Sequence, residues 1–361
     1  MNVGPVSLRA AAAHGLPAAL PTEAERVLTR EMIAVATNDR VQGLLWAAVE
    51  AGAVIGAGEL IERAHDAHLA ALRSSLVAEE TTVLTVDALQ MAGVDARILK
   101  GVAVAHLDHV NPSERVFGDA DVLVGRRDYA VSLRALEAAG FTRRLPPVRS
   151  WWERRFGKAV VLYAPNGGEL DLHLAITGGY FGARIDHDAI WSTRSQPFEL
   201  CGRQVFGLDP EFRLLHACCH KVLGGASGWR VTRDVAQISL LSRADWRRTV
   251  AIAERDGSDL VVAEAVRTTW EQLQLIAHPL AEWASGHHGD AAQQRALSTY
   301  RGVSDAGWGP EGRGMLTALG PIDRALFLVG LALPSRASLR ARQRSWHQHV
   351  GLGAATMRGK S

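Results

Sequence analysis

Two aspartates at alternate positions, Asp119 and Asp121, flank the start of the apolar segment Ala120–Val124. Side chains two apart on a strand point to the same face, so in a strand these two carboxylates project together. Paired carboxylates repel each other unless a cation lies between them. Mg²⁺ meets that need because it takes oxygen ligands and bridges to substrate phosphates, and Mn²⁺ is the alternative ion. An isolated Asp-x-Asp is also common in turns, so the interpretation depends on neighbouring segments.

A second alternating segment, Glu169–Leu174, places Glu169, Asp171 and His173 on one face and three leucines on the other. If this strand lies beside the first, Asp171 completes a cluster of three carboxylates. Such a cluster can hold two metal ions, one activating the attacking oxygen and one steadying the leaving pyrophosphate. We therefore predict that Asp119, Asp121 and Asp171 are both the metal ligands and the catalytic residues. Alone, Asp171 is equally typical of an exposed edge strand.

A third element is the Lys100-Gly101 turn at the end of the predicted strand Val94–Leu99. Glycine lets backbone approach a phosphate closely, and the start of the following helix favours anions. Lys100 adds a positive charge, and Arg115 is a second candidate for contacts with a triphosphate. With Gly118, these residues form the predicted nucleotide-binding set in this part of the chain. An ordinary strand-end turn is the alternative for Lys100-Gly101.

The elements that must position these residues follow from hydrophobic periodicity. Helical patterning continues to about Met91, and strands are predicted at 94–99, 120–124, 158–163 and 169–175. The turn residues Ala164–Gly168 make the last two strands antiparallel. Helices are predicted at 102–109, 127–139, 211–222, 231–241, 243–256, 259–276 and 322–333. The fold class is α+β: a small mixed sheet at 94–208 between an N-terminal helical region, 1–93, and a C-terminal helical domain with a basic tail, 209–361.

The composition is that of a folded protein: 361 residues, 47% hydrophobic and 22% charged, which excludes global disorder. The balance of 40 basic and 38 acidic residues argues against a protein built to coat nucleic acid. No apolar run reaches the roughly 20 residues of a transmembrane helix, and the N-terminus lacks a signal-peptide pattern. Three cysteines, two of them adjacent, suit a reducing compartment. We therefore expect a cytoplasmic protein without a membrane span.

The order of these motifs resembles a known family. Leu99-Lys100-Gly101, Arg115 ahead of Asp119–Val124, and Leu170–His173 together resemble the uncharacterised nucleotidyltransferase family of the polymerase-β-like superfamily. The likeness extends over roughly residues 80–256. Its later motifs are Leu214–His220, Arg230, Arg233–Val235 and Asp245-Trp246.

The resemblance implies metal-dependent transfer of a nucleoside monophosphate, with AMP expected, from an NTP donor. The acceptor is expected to be a hydroxyl or similar group of a small molecule, peptide or protein, and nucleic acid is not favoured. Asp119 and Asp121 would be metal ligands, and Asp171 a ligand or the base for the acceptor. The wider superfamily has Gly-Ser where this chain has Lys100-Gly101. The alternative is a catalytically silent nucleotide-binding sensor or scaffold that recognises a partner protein or RNA.

Other charged segments carry two interpretations each. His216 and His220 share a helix face at the spacing of zinc ligands, but the glutamate of a zinc-protease helix is missing. We expect His220, Lys221, Arg230 and Asp234 to line the groove opposite the metal site, with a buried structural network as the equal alternative. The segment Arg149–Phe156 is either a lid that stacks on a base or a loop pinned by its tryptophans. The basic tail, 324–361, either binds RNA or an anionic surface or is a last core helix with a solvated end.

Overall fold

The computed structural model describes residues 7–224, 228–300 and 308–342. In this part of the chain a seven-stranded mixed sheet lies between two sets of helices, as predicted. The strands are β1 Ala96–Ile98, β2 Ala120–Val124, β3 Thr142–Arg143, β4 Ala159–Tyr163, β5 Glu169–His173, β6 Gln196–Leu200 and β7 Arg203–Gly207.

The helices precede, interrupt and follow the sheet. Before it come α1 Arg9–Ala12, α2 Arg30–Asn38, α3 Gln42–Glu50 and α4 Gly58–Met91. Among the strands lie α5 Lys100–Asp108, α6 Tyr129–Ala138, α7 Ser150–Phe156, α8 Gly179–Gly182 and α9 His187–Ser192. After it come α10 Pro210–Leu223, α11 Trp229–Leu241, α12 Trp246–Asp256, α13 Asp259–Leu273, α14 Pro279–Gly286, α15 Ala291–Ser298, α16 Trp308–Ala318, α17 Pro321–Ala332 and α18 Arg336–Ala341.

The strand order β3-β4-β5-β2-β1-β7-β6 puts the two acidic strands side by side at the centre. β2 and β5 are parallel neighbours, and their register pairs Asp121 with Asp171. β4 and β5 form the predicted antiparallel hairpin. The condition for a shared acidic cluster, that the two strands lie together, is therefore met.

Alternation decides which face of the sheet is buried. Val122 of β2 and Leu170 and Leu172 of β5 are fully buried and belong to one apolar cluster. The 34-residue helix α4 packs across these strands and supplies Ala78, Val86 and Leu89 to the same cluster. The opposite positions hold Asp121, Asp171 and His173 and also Leu123, which belongs to a second apolar cluster, because period-two strands separate the two sets.

Local signals set several boundaries. Asp209 accepts a hydrogen bond from the Phe212 amide at 2.8 Å and starts α10, with Pro210 at the first helical position as predicted. Gly140 lies just after α6 with a φ of 88°, in the left-handed region that suits a glycine C′ residue. Residues 343–361 of the predicted basic tail lie outside the described part of the chain.

Several elements differ from the sequence-based expectation, and the β6-β7 hairpin and α7 are among them. The β6-β7 hairpin was not predicted, because Pro197 and the short flanking runs weaken its strand pattern. The segment Arg149–Phe156, expected to be a loop or a lid, forms α7 instead. Trp152 and Phe156 are buried there, and the Trp152 indole donates to the Phe327 carbonyl at 2.9 Å. These aromatic side chains hold α7 against α17.

The described helices contain no segment that is both long and apolar enough to cross a membrane. The longest of them, α4, carries charged residues from Glu59 to Asp87.

Candidate active site

The register of β2 against β5 creates an acidic cluster. One oxygen each of Asp121 and Asp171 and a ring nitrogen of His173 lie within 4.8 Å of one another. His173 Nε2 is 2.8 Å from Asp121 Oδ1, and its Nδ1 is 3.3 Å from the Ala175 carbonyl oxygen. Asp121 and His173 are almost completely buried. Two carboxylates and an imidazole at this spacing form a potential ligand set for a divalent cation.

Lys100 brings a positive charge into this cluster. Its Nζ forms a hydrogen bond and ion pair with Asp121 Oδ1, and it lies 3.3 Å from His173 Nε2. Lys100 has a φ of 42°, in the left-handed region that non-glycine residues rarely adopt. Such strain persists only where the surrounding structure imposes it, and it is concentrated at functional sites.

The carboxylates differ in their charge environment. Burial by itself would raise the pKa of Asp121, but the Lys100 ammonium and the His173 hydrogen bond hold it well below its ordinary value. Burial raises the pKa of Asp171, and the neighbouring Asp121 adds to that effect. Asp171 Oδ1 is buried with no hydrogen-bond partner among the described residues. A buried oxygen without a hydrogen-bond partner is energetically costly, so this atom is suited to be a ligand of a cation.

Asp119 lies outside that group of three ligands. Its side chain is 35% exposed, and its Oδ1 is 3.5 Å from an Arg40 guanidinium nitrogen. β2 begins at Ala120, so the strand alternation that fixes Asp121 does not extend to Asp119. The structure thus groups Asp121 and Asp171 with His173, and it puts the third predicted carboxylate on the wall of the same cleft.

The cleft beside the cluster has a volume of about 510 Å³ and is mostly polar. It is lined by residues from all three parts of the chain, namely Asn38, Asp39, Arg40, Lys100, Gly101, Phe117, Asp119, Asp121, His220, Gly228, Arg230 and Val231. Arg40 and Arg230 add two cations to that of Lys100. Asp39 holds the N-terminal region in place by accepting a 2.8 Å hydrogen bond from the Trp229 amide at the start of α11.

The sequence model of a family described as "Uncharacterised nucleotidyltransferase" matches residues 26–273, more than half of the chain. The chain belongs to this family. Its match covers the acidic strands and all the residues that line the cleft, Asn38 to Val231. No curated protein matches the chain. A nucleotidyltransferase family implies an NTP substrate and a divalent metal, and the buried Asp121 and His173 with the half-buried Asp171 could bind such an ion.

The two glycines of the predicted nucleotide site have different surroundings. A Cβ on Gly101 would lie 2.6 Å from the Cβ of Phe117, which is too close for any other residue without backbone movement. Gly118 faces Arg40, whose guanidinium would be 3.4 Å from an added Cβ. Gly101 therefore lets α5 pack closely against Phe117, and it also lines the cleft.

Arg115 and Asp234, both predicted to contact nucleotide, pair with each other, an arrangement that matches the buried network given as the alternative for Asp234. They form a two-pronged ion pair with each other, with nitrogen–oxygen distances of 2.6 and 2.8 Å, and neither lines the cleft. Arg115 is 1% exposed and also donates to the Val116 carbonyl at 2.7 Å. Burial opposes the charge, but Asp234 raises the pKa of Arg115. The pair joins the segment before β2 to α11, and it supports the site from outside the cleft.

The two histidines and the lysine of α10 also separate. His220 lines the cleft, whereas His216 is buried. The centres of the two imidazole rings are 6.5 Å apart. Burial, with the nearby Lys100 charge, lowers the pKa of both histidines well below the ordinary value, so both are neutral. Lys221 is not part of the cleft wall. Its Nζ donates to Thr232 Oγ1 at 2.7 Å, and burial lowers its pKa to about 8.

The buried ion pair gives a stability prediction. Replacing Arg115 by methionine leaves the Asp234 carboxylate buried without its partner, so the free energy of unfolding should fall by about 3–5 kcal/mol. Chemical denaturation measures it, with Arg127→Met on the exposed face of the same region as the control. Unchanged stability together with lost nucleotide binding would instead make Arg115 a ligand contact.

Proposed function

We propose that this chain transfers a nucleoside monophosphate, AMP in the first instance, from an NTP to a hydroxyl or similar group of a small molecule, peptide or protein. The observation that carries the proposal is the Asp171 oxygen that has no hydrogen-bond partner in the described part of the chain and lies beside Asp121, a residue in the wall of a polar cleft large enough for a nucleotide. The reaction would be in-line attack on the α-phosphorus with pyrophosphate leaving. Catalysis would come mainly from positioning and charge stabilisation.

The donor set supports a Mg²⁺ or Mn²⁺ site. Asp121 and Asp171 would hold the ion, and Asp119 would join them from the cleft wall. His173 would orient Asp121 through its 2.8 Å contact or act as a further ligand, a role that favours Mn²⁺ over Mg²⁺. When bound, the metal supplies charge neutralisation for the triphosphate and activation of the acceptor oxygen. Asp171, with its raised pKa, is the proposed base for the acceptor hydroxyl.

Three cations of the cleft are suited to the triphosphate. Lys100 reaches the cluster from the start of α5, Arg40 follows α2 and Arg230 lies in the first turn of α11. Burial, with Arg115 nearby, lowers the pKa of Arg230 to about 10, which leaves it charged at neutral pH. His220 is a neutral neighbour that can accept or donate a hydrogen bond. We propose these four residues, with Gly101 and Gly118, as the nucleotide-binding surface.

A silent nucleotide sensor is the second candidate, and one observation favours it. The Lys100 ammonium neutralises Asp121 from within the protein, so part of the metal's electrostatic role is filled without a metal. A core of this kind would bind nucleotide and signal to a partner protein or RNA through its helical regions. We further propose a cytoplasmic location and retain the division into 1–93, 94–208 and 209–361.

Calorimetry with each NTP, with and without Mg²⁺, together with a pyrophosphate assay, separates the two functions. The transferase predicts Mg²⁺-dependent NTP binding and pyrophosphate release that increases when an acceptor is supplied. Metal-dependent binding with no pyrophosphate release across a broad acceptor screen would support the sensor. Absence of NTP binding in both conditions would contradict both functions.

A further inference from the structure

A second pocket, of about 270 Å³, lies next to the end of β5 and shares no residue with the nucleotide cleft. Among the residues that line it are Arg126, Lys158, Ala175 and His187. Ala175, in its wall, follows the last residue of β5, His173, by two positions. The Ala175 carbonyl oxygen lies 3.3 Å from Nδ1 of His173. The pocket therefore adjoins the acidic cluster through a direct contact.

The charges in this pocket do not cancel. Arg155 pairs with Asp323 at 2.8 Å, and Lys158 lies 3.6 Å from Glu311. Arg126 donates to the Arg154 carbonyl at 2.9 Å but has no carboxylate within ion-pair distance in residues 7–224, 228–300 and 308–342. Burial lowers its pKa, as expected for a cation that is partly removed from water without a counterion. An anion from solution would supply that missing charge.

His187 adds a hydrogen-bond acceptor to the same pocket. Its ring is hydrogen-bonded to the backbone of Ile185, and its Nε2 is buried with no partner among the described residues. Burial, with Arg126 nearby, lowers the pKa of His187 to about 4, so the ring is neutral at pH 7. A neutral imidazole whose other nitrogen donates offers a lone pair, which requires an O–H or N–H from a ligand. The pocket therefore presents one unpaired cation beside one unpaired acceptor.

We propose that this pocket binds the phosphate group of a small phosphomonoester, with the phosphate oxygens on Arg126 and an O–H of the ligand donating to His187. Phosphate suits the pair because its second pKa of about 6 leaves part of it protonated in slightly acidic solution, whereas a carboxylate or a sulfate offers oxygens alone. The pocket adjoins His173, so we assign this molecule as the acceptor. That assignment rests on the proposed function, while the binding of phosphate does not.

Calorimetric titration with inorganic phosphate, with glycerol 3-phosphate and with sulfate tests the proposal at about pH 6.5, where part of the phosphate is singly protonated. Both phosphates should bind, and sulfate should bind about fivefold more weakly or less, since it cannot donate to His187. Arg126→Gln should weaken phosphate binding by about tenfold or more. His187→Phe should remove the preference for phosphate over sulfate. Binding of inorganic phosphate alone would restrict the site to the free ion and overturn the assignment to a phosphomonoester.

Two further variants locate the binding. Arg127→Gln alters an exposed neighbour of Arg126, and its phosphate binding should stay within about twofold of the unmodified chain. Arg230→Gln alters the nucleotide cleft, so it should weaken NTP binding while the phosphate binding that depends on Arg126 remains. No phosphate binding by the unmodified chain, or a loss caused by Arg230→Gln and not by Arg126→Gln, would overturn the proposal. If Arg126→Gln does not fold, the ratio of phosphate affinity to sulfate affinity in His187→Phe decides whether the proposal holds. Phosphate binding that depends on Arg126 in a chain that binds no NTP would leave the pocket standing and overturn the transferase.

Discussion

Replacement of Asp119 by asparagine is expected to lower pyrophosphate release by about 10²–10³-fold or more while leaving the fold intact. Asp119 lies on the cleft wall beside Asp121, where its charge would complete the metal site. Its structural cost is small, because its ion pair with Arg40 is long, at 3.5 Å, and about half of the Arg40 side chain is exposed. Activity and stability should therefore separate in this variant.

The matched control is Asp66→Asn, which removes an exposed carboxylate from α4. It should turn over NTP like the unmodified chain, and both variants should unfold at the same denaturant concentration within error. Pyrophosphate release by Asp119→Asn at the unmodified rate would contradict the assignment of Asp119.

Replacement of Lys100 by methionine is expected to make the stability of the chain dependent on a divalent cation. Without the ammonium, the buried Asp121 carboxylate loses its partner and lies next to the half-buried Asp171 carboxylate, and breaking a buried pair costs about 3–5 kcal/mol. A cation bound by the same carboxylates would restore much of that loss. Denaturant unfolding with and without Mn²⁺ should therefore show a larger Mn²⁺ stabilisation in the variant than in the unmodified chain.

Arg115→Met is the control for this effect, because it also breaks a buried ion pair. The loss of stability in Arg115→Met should persist in Mn²⁺, since Asp234 is not among the residues that could hold the ion. Equal Mn²⁺ stabilisation of all three proteins would show that Lys100 and the metal do not share a site.

The acidic core could be predicted because its signal is local. Alternation along five residues decides which side chains of β2 and β5 share a face, and the apolar partners Val122 and Leu172 confirm that face in the structure. The same alternation placed His173 beside Asp171. Asp119 departs from the predicted cluster because it precedes the first residue of β2, where strand geometry no longer constrains it.

The rest of the site depends on contacts between distant segments. Arg40 follows α2 with a φ of 54°, and nothing in its neighbouring residues indicates that it meets Asp119. Arg115 shows the opposite problem, because an arginine near an acidic motif suits a phosphate and a carboxylate equally well. The structure pairs it with Asp234, which is 119 positions along the chain.

Transfer of isotopic label from NTP to acceptor tests the central claim most directly. Cell extract is incubated with the chain, Mg²⁺ and ATP labelled on either the α- or the γ-phosphate, with Asp119→Asn as the blank. Nucleotidyl transfer predicts that an acceptor gains α-label and that the γ-label leaves as pyrophosphate. Neither change is expected from the Asp119→Asn variant. Transfer of γ-label to an acceptor, or α-label transfer that persists in Asp119→Asn, would contradict the account.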